Sequence, residues 1–209
     1  MTGKSKTTET ARAVAAMERA AAAGNVDAQF RLGVMYANGD EVSLNYTRAA
    51  QLIRLAAEQG MAAAQSTLAW LYANGYGVRQ DDGAAREWYL KAAEQGSSKD
   101  QYVVGTMYRF GQYGAARDPA VAMDWYRSAA EQGFAPAQFA LGRMLMDGKH
   151  VPEDRIGAFQ WLSLAHVNGS KRAEGAVEEL LKRMTPAEVV RAKAEMLAVA
   201  GHQLGEQEG

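Results

Sequence analysis

Ala57-Glu58-Gln59-Gly60 returns as Ala93-Glu94-Gln95-Gly96 and again as Ala130-Glu131-Gln132-Gly133. With Gly24 before them and Gly169 after, the closing glycines are spaced 36, 36, 37 and 36 residues apart. Self-similarity at this period marks stacked units, none of which can bury its apolar face alone. Such a chain points to an extended surface for holding another molecule, and away from a globular enzyme.

Each unit reads as two helices. With the glycine as position zero, positions four, eight, eleven and twelve are Ala28, Leu32, Met35 and Tyr36 in the first unit. They are Ala64, Leu68, Leu71 and Tyr72 in the second, and Ala137, Leu141, Met144 and Leu145 in the fourth. This spacing lays them on one helical stripe. The third unit keeps Val104, Met107 and Tyr108 but carries Asp100 where the others have Ala. Gly33, Gly105 and Gly142 lie inside this first helix, where a glycine costs about 1 kcal/mol against alanine. A neighbouring helix crossing at that point is the expected reason for them.

Gly39, Gly75, Gly111 and Gly148 end the first helix, since glycine readily takes the left-handed cap conformation. A short loop follows, and Asp118-Pro119 supplies an N-cap and a first-turn proline for a second helix. The second helices carry Trp88-Tyr89, Trp125-Tyr126 and Trp161-Leu162, and the recurrence of Trp88, Trp125 and Trp161 at one position predicts that they are core. Small pairs such as Ala92-Ala93 and Ala129-Ala130 allow close helix approach.

The ends differ. Residues 11–23 match the second-helix pattern without its aromatics and read as half a repeat. Beyond Gly169, Ala173, Val177, Leu180 and Leu181 match first-helix core positions, and Thr185-Pro186-Ala187-Glu188 is a capping box opening a last helix. The expected organisation is a disordered stretch over 1–10, one solenoid over 11–200 and a flexible tail over 201–209. Its full repeats span 24–59, 60–95, 96–132 and 133–168, with a terminal cap over 169–200.

Ala28-Gln29, Leu32-Gly33, Tyr36 and Gly39, repeated as Ala137-Gln138, Leu141-Gly142 and Gly148, resemble the Sel-one-like repeat family. The second half of its pattern stands from Trp88 to Gly96. The departures are Leu145 for Tyr, His166-Val167-Asn168 for Ala-Glu-Gln, and one inserted residue near Tyr113-Gly114. Such families are similar to tetratricopeptide repeats. The resemblance implies an all-α, right-handed superhelical solenoid of antiparallel helix pairs, with about four full repeats and half-repeats at each end. It also implies a non-catalytic adaptor or scaffold, of the kind found in bacterial and eukaryotic complexes.

The first helices carry a second face. Positions six, ten and thirteen lie opposite the core stripe and include Phe30 and Val34, Trp70, Tyr102, Thr106 and Arg109, then Phe139 and Arg143. A solvated face would carry more charge. By resemblance to tetratricopeptide proteins these positions line a concave groove for a protein or peptide. Asn38 and Asn74 follow position thirteen, where an amide could bond an extended backbone. Aromatics beside arginine can hold apolar anchors and an acidic group. The competing reading packs these aromatics between successive first helices, or under a folded-back terminal helix.

At 209 residues, with net charge −1 and 48% hydrophobic residues, the chain can build an ordinary core. A nucleic-acid partner is not expected, because phosphate binding needs clustered Lys and Arg. Cysteine is absent, so no disulfide or thiolate metal site arises. No signal-peptide pattern or membrane-length apolar run is visible, and a cytoplasmic protein is expected. His150, His166 and His202 form no metal-binding or catalytic pattern. Gly3-Lys4-Ser5 lacks the rest of a phosphate loop, and Asp81-Asp82 and Glu178-Glu179 read as solvated surface. No enzyme activity, cofactor or metal is expected. A monomer is expected, with self-association through an incompletely capped end as the rival, on account of Val189, Val190 and Leu197. Regulation or inhibition of an enzyme partner is a further, weaker alternative.

Overall fold

The computed structural model describes residues 2–205, with side chains described at 9–197. Among the described residues there are eleven helices and no strand. The chain runs α1 (Thr2–Ala22), α2 (Val26–Asn38), α3 (Tyr46–Glu58), α4 (Ala62–Asn74), α5 (Asp82–Glu94) and α6 (Ser98–Phe110). It continues with α7 (Pro119–Glu131), α8 (Ala135–Asp147), α9 (Arg155–Val167), α10 (Ala173–Leu181) and α11 (Pro186–Gly205). Helix α1 begins inside the stretch expected to be disordered, and the expected flexible tail lies outside the described residues from 206 onwards.

Local chemistry sets the helix ends. Each of α2 to α9 has 13 residues, so the one change in the period comes from the longer loop between α6 and α7. Asn45, Asp81, Asp118 and Asp154 cap the second helices, each accepting from backbone N–H groups of the first turn. The backbone N–H of each cap also donates to the last turn of the preceding helix, as from Asn45 to Tyr36 at 2.8 Å and from Asp118 to Tyr108 at 2.8 Å. Gly39, Gly75 and Gly148 close first helices in the left-handed conformation. Thr185 and Glu188 form the expected reciprocal box, with Thr185 N donating to Glu188 Oε2 at 2.7 Å and Glu188 N to Thr185 Oγ1 at 3.3 Å.

The chain divides into two compact units, residues 1–100 with 113–115, and residues 101–112 with 116–209. In the first, α2 packs on α3 and α4 on α5, while α1 covers α2 and α3 meets α4. Its core is built on Leu32, Ala49, Ile53, Ala56, Leu68 and Leu71. The inserted residue lies here: Tyr113 turns with φ 50°, Arg86 Nη1 donates to its carbonyl at 2.7 Å, and its ring stands 6.1 Å from Tyr89. In the second unit α7 meets α8, α8 pairs with α9, and α10 and α11 both pack on α9. Its core joins Tyr126, Leu141, Met146 and Leu162 to Leu180, Met184 and Ala192.

The interior glycines mark close crossings, as expected. A Cβ on Gly33 would lie 2.6 Å from Ile53 Cγ1, on Gly105 2.7 Å from Tyr126 Cδ1, and on Gly142 2.7 Å from Leu162 Cγ. The partner in each case is the second-helix residue one place after the tryptophan position. That residue, and not the tryptophan, is the buried one. Tyr89, Tyr126 and Leu162 are buried, whereas Trp88, Trp125 and Trp161 are half-buried. The side of the second helix that meets the glycine decides this in every repeat, so the expectation of tryptophan cores is corrected by one position.

The glutamine of the recurrent tetrapeptide stitches repeats together. Gln59 Nε2 donates to Gln29 Oε1 at 2.8 Å, Gln95 to Gln65 at 2.6 Å, and Gln132 to Gln101 at 2.8 Å. Asn168 does the same for Gln138 at 2.9 Å despite its shorter side chain. The inner glutamines are buried and reach back one helix: Gln29 donates to Ala21 O, Gln65 to Ala57 O and Gln138 to Ala130 O. Gln138→Leu is expected to cost about 1–3 kcal/mol, because it strands a buried carbonyl. Urea unfolding checks this, and an unchanged midpoint would count against the ladder.

Two buried tyrosines make stability fall in alkali. Burial raises the pKa of Tyr89, with Tyr113 and Asp100 adding to the effect. Burial likewise raises that of Tyr126, against lowering hydrogen bonds from Thr106 and Arg109. A phenol protonated more firmly in the folded chain contributes stability that is full below the unfolded value of about 10 and is lost as pH rises above it. Tyr89→Phe is therefore expected to move the alkaline unfolding transition to higher pH. Circular dichroism between pH 8 and 12 tests this (about the range over which unfolded tyrosine ionises), and an unmoved transition would refute it.

Candidate functional site

The second face of the first helices was expected to bind, and its residues fall in both units. In the first unit Phe30 and Val34 are half-buried on α2, and Phe30 also packs against the core. Trp70 on α4 stays 44% exposed. Its ring lies 5.0 Å from Tyr76, which stacks at 4.9 Å on Tyr46. This surface stack of three rings joins a helix face to the following loop. Asn38 and Asn74 are exposed, but both amides bond within their own turn, to Asp40 Oδ2 at 3.0 Å and to Trp70 O at 2.8 Å.

In the second unit Tyr102 stands 5.5 Å from Tyr126 and edge-on to Phe134 at 5.7 Å. Thr106 Oγ1 lies 3.1 Å from the Tyr126 hydroxyl and donates to Tyr102 O at 2.9 Å. Arg109 lies over the Phe110 ring at 5.1 Å. The two arginines separate in character here. Arg143 pairs with Glu179 at 2.7 Å and with Asp147 at 3.4 Å, so its charge is already met. In the fourth repeat Met146, at position thirteen, is fully buried.

The position-six aromatics line surface depressions. Phe30 shares one with Ala62, Ala63 and Ser66 of the next repeat and Ser97 of the one after. Tyr102 shares another with Ala135, Pro136 and Phe139, then Ser170. Counted from each glycine, these are position six, then two, three and six, then one. One set of positions from three successive repeats builds both hollows. Their linings differ: the first includes buried Asp100, which accepts from Ser66 Oγ at 2.7 Å and from Ser97 Oγ, whereas the second includes Phe139.

Sequence reasoning missed Tyr46, Tyr76 and the glutamine ladder. The glutamines recurred visibly at 29, 65, 101 and 138, but their partners lie about one repeat away. Among the described residues no group of three metal-ligating side chains comes together, and no helix is long and apolar enough to cross a membrane. His150 is in a loop against Arg117, and His166 is exposed.

Paired 13-residue helices, stitched at a 36-residue period, define an all-α repeat protein of the solenoid class. The Sel1 repeat matches residues 26–61, 62–97, 98–134 and 135–165. The chain belongs to the Sel1 repeat family, whose members are typically non-catalytic scaffolds for protein interactions. It is similar to a protective antigen of uropathogenic Escherichia coli strains displaying an SLR fold, at 31% identity and a TM-score of 0.74. That likeness covers 90% of this chain and 40% of the antigen. A Sel1 repeat protein from Oxalobacter formigenes is 32% identical with a TM-score of 0.71, over 77% of this chain and 65% of that one. The chain thus spans less than two thirds of either relative. No curated protein matches it.

Proposed function

We propose that this chain is a non-catalytic protein-binding scaffold that takes extended peptide segments on the second face of its first helices. The observation that carries this reading is the paired hollow: one set of repeat positions builds an open depression in each unit, walled by Phe30 in one and by Tyr102 and Phe139 in the other. Apolar anchor side chains fit such sites, and exposed Trp70 with Tyr76 supplies a rigid aromatic platform beside the first. Aromatics already held by their neighbours lose little conformational entropy on binding. Arg109 adds a charge for an acidic group.

The test is a displayed peptide library selected on the whole chain, followed by titration of the enriched peptides. Trp70→Ala or Phe139→Ala is expected to weaken them by more than about 30-fold, the loss of one hot spot, with the helical spectrum kept. Selected peptides that bind both variants as well as wild type would assign these aromatics to packing.

Self-association is a second reading, favoured by exposed apolar residues at the end of α9 and along α11. Val167, Val190 and Leu197 are 78%, 68% and 73% exposed, whereas Val189 packs against the core. Light scattering across a concentration series separates the readings, since a constant monomer mass removes this one.

A further inference from the structure

The last turn of α6 and the loops after α6 and α8 bring positive charge to one cleft in the second unit. Arg109, Arg117, Lys149 and His150 line it, with the Phe110 ring as an apolar wall. Arg117 Nη2 donates to His150 Nε2 at 2.8 Å, and its Nε donates to Arg109 O at 3.2 Å. Two contacts therefore hold the guanidinium at the cleft. Among the described residues Arg109, Arg117 and Lys149 form no ion pair. The acidic member of the lining, Asp147, is engaged by Arg143 at 3.4 Å. Like charges gathered at one cleft favour the entry of an anion.

The fold does not require this cluster. The residues one and two places after the helix-ending glycine are Lys149 and His150 here, but Asp40 and Glu41 in the first repeat. The residue before the second-helix cap is Arg117 here, but Leu44, Gln80 and Glu153 in the other repeats. Position thirteen is Arg109 here and Ala37 or Ala73 earlier. The positive set thus belongs to one place in the array.

We propose that this cleft is an acidic-residue subsite: it takes the carboxylate of an aspartate or glutamate in a partner peptide, with an adjacent apolar side chain against Phe110. Phe110 is 60% exposed, which suits a ring awaiting a cover. Arginine forks pair well with carboxylates, and a pre-held fork loses less on binding. Three cations are too few for a nucleic-acid surface, whose affinity rests on many phosphate contacts. The inference rests on the reading of the chain as a peptide-binding protein and specifies one chemical requirement of its ligand.

The test uses the whole chain, isotope-labelled for NMR, and a capped octapeptide alternating glutamate with phenylalanine and leucine. A glutamine-for-glutamate version and inorganic phosphate are the comparison probes. The expected result is shifts centred on Arg117, Lys149 and His150, at least tenfold weaker binding of the glutamine peptide, and binding that weakens with added salt. Arg117→Gln with Lys149→Gln should reduce the affinity at least tenfold, while Lys193→Gln, far along α11, should leave it unchanged. Equal binding of both peptides, shifts confined to Trp70 or Phe139, or the same shifts from phosphate alone at like concentration would each overturn the acidic-peptide subsite. Shifts at Trp70 or Phe139 without the cleft would leave the scaffold reading standing, whereas failure of library peptides beside a positive cleft result would do the reverse.

Discussion

Tyr126→Ala is expected to lower the unfolding free energy by about 3–5 kcal/mol, the range for emptying an aromatic core site. Tyr126 is 1% exposed, and its ring fills the space opened by Gly105. Its hydroxyl lies within hydrogen-bond reach of Thr106 at 3.1 Å, so truncation removes both packing and a polar partner. Trp125→Ala, one residue earlier and half-buried, is expected to cost about 1–2 kcal/mol, in keeping with its partial burial. Urea unfolding followed by circular dichroism orders the two. A larger loss for Trp125 would mean that the second helix is rotated by one residue from the geometry described.

Deleting residues 171–209 is expected to cost on the order of 5 kcal/mol, from the lost burial of Leu180, Met184 and the small residues around them. Helices α10 and α11 both lie on α9. Polar ties go with them: Arg143 to Glu179 at 2.7 Å, Gln160 to Glu195 at 2.8 Å, and Arg155 to the Arg183 carbonyl at 3.0 Å. In a stacked array each unit is stabilised by its neighbours, so the bared face of α9 should also draw molecules together. A lower melting temperature and a mass that rises with concentration are the expected signs. A shortened chain that stays monomeric and melts as before would show that these helices do not act as a cap.

Much of this was legible because repeats print their register in the chain. The stripe of Ala64, Leu68 and Leu71 and the glycine stops after it are local signals, and they specify helices without knowledge of neighbours. The interior Gly33, Gly105 and Gly142 announced close crossings for the same reason: a local cost that only a tertiary contact offsets. Placing the large residue at that crossing was harder. Trp125 and Tyr126 are adjacent, and both are aromatic and suited to a core. Only the direction from which α6 approaches α7 decides which ring turns inward.

By itself, the sequence determined the repeat, its period, the two helices of each unit, their caps and the family, because all of these rest on interactions within about one repeat. The tertiary structure decided the rest. It paired Gln59 with Gln29 and Gln95 with Gln65, engaged Arg143 with Glu179 but Arg117 with His150 and the Arg109 carbonyl, and buried Met146 where Trp70 stays open. These outcomes depend on which side chains from different repeats meet, and on how much water remains between them. Neither is written in the spacing of residues along a single helix.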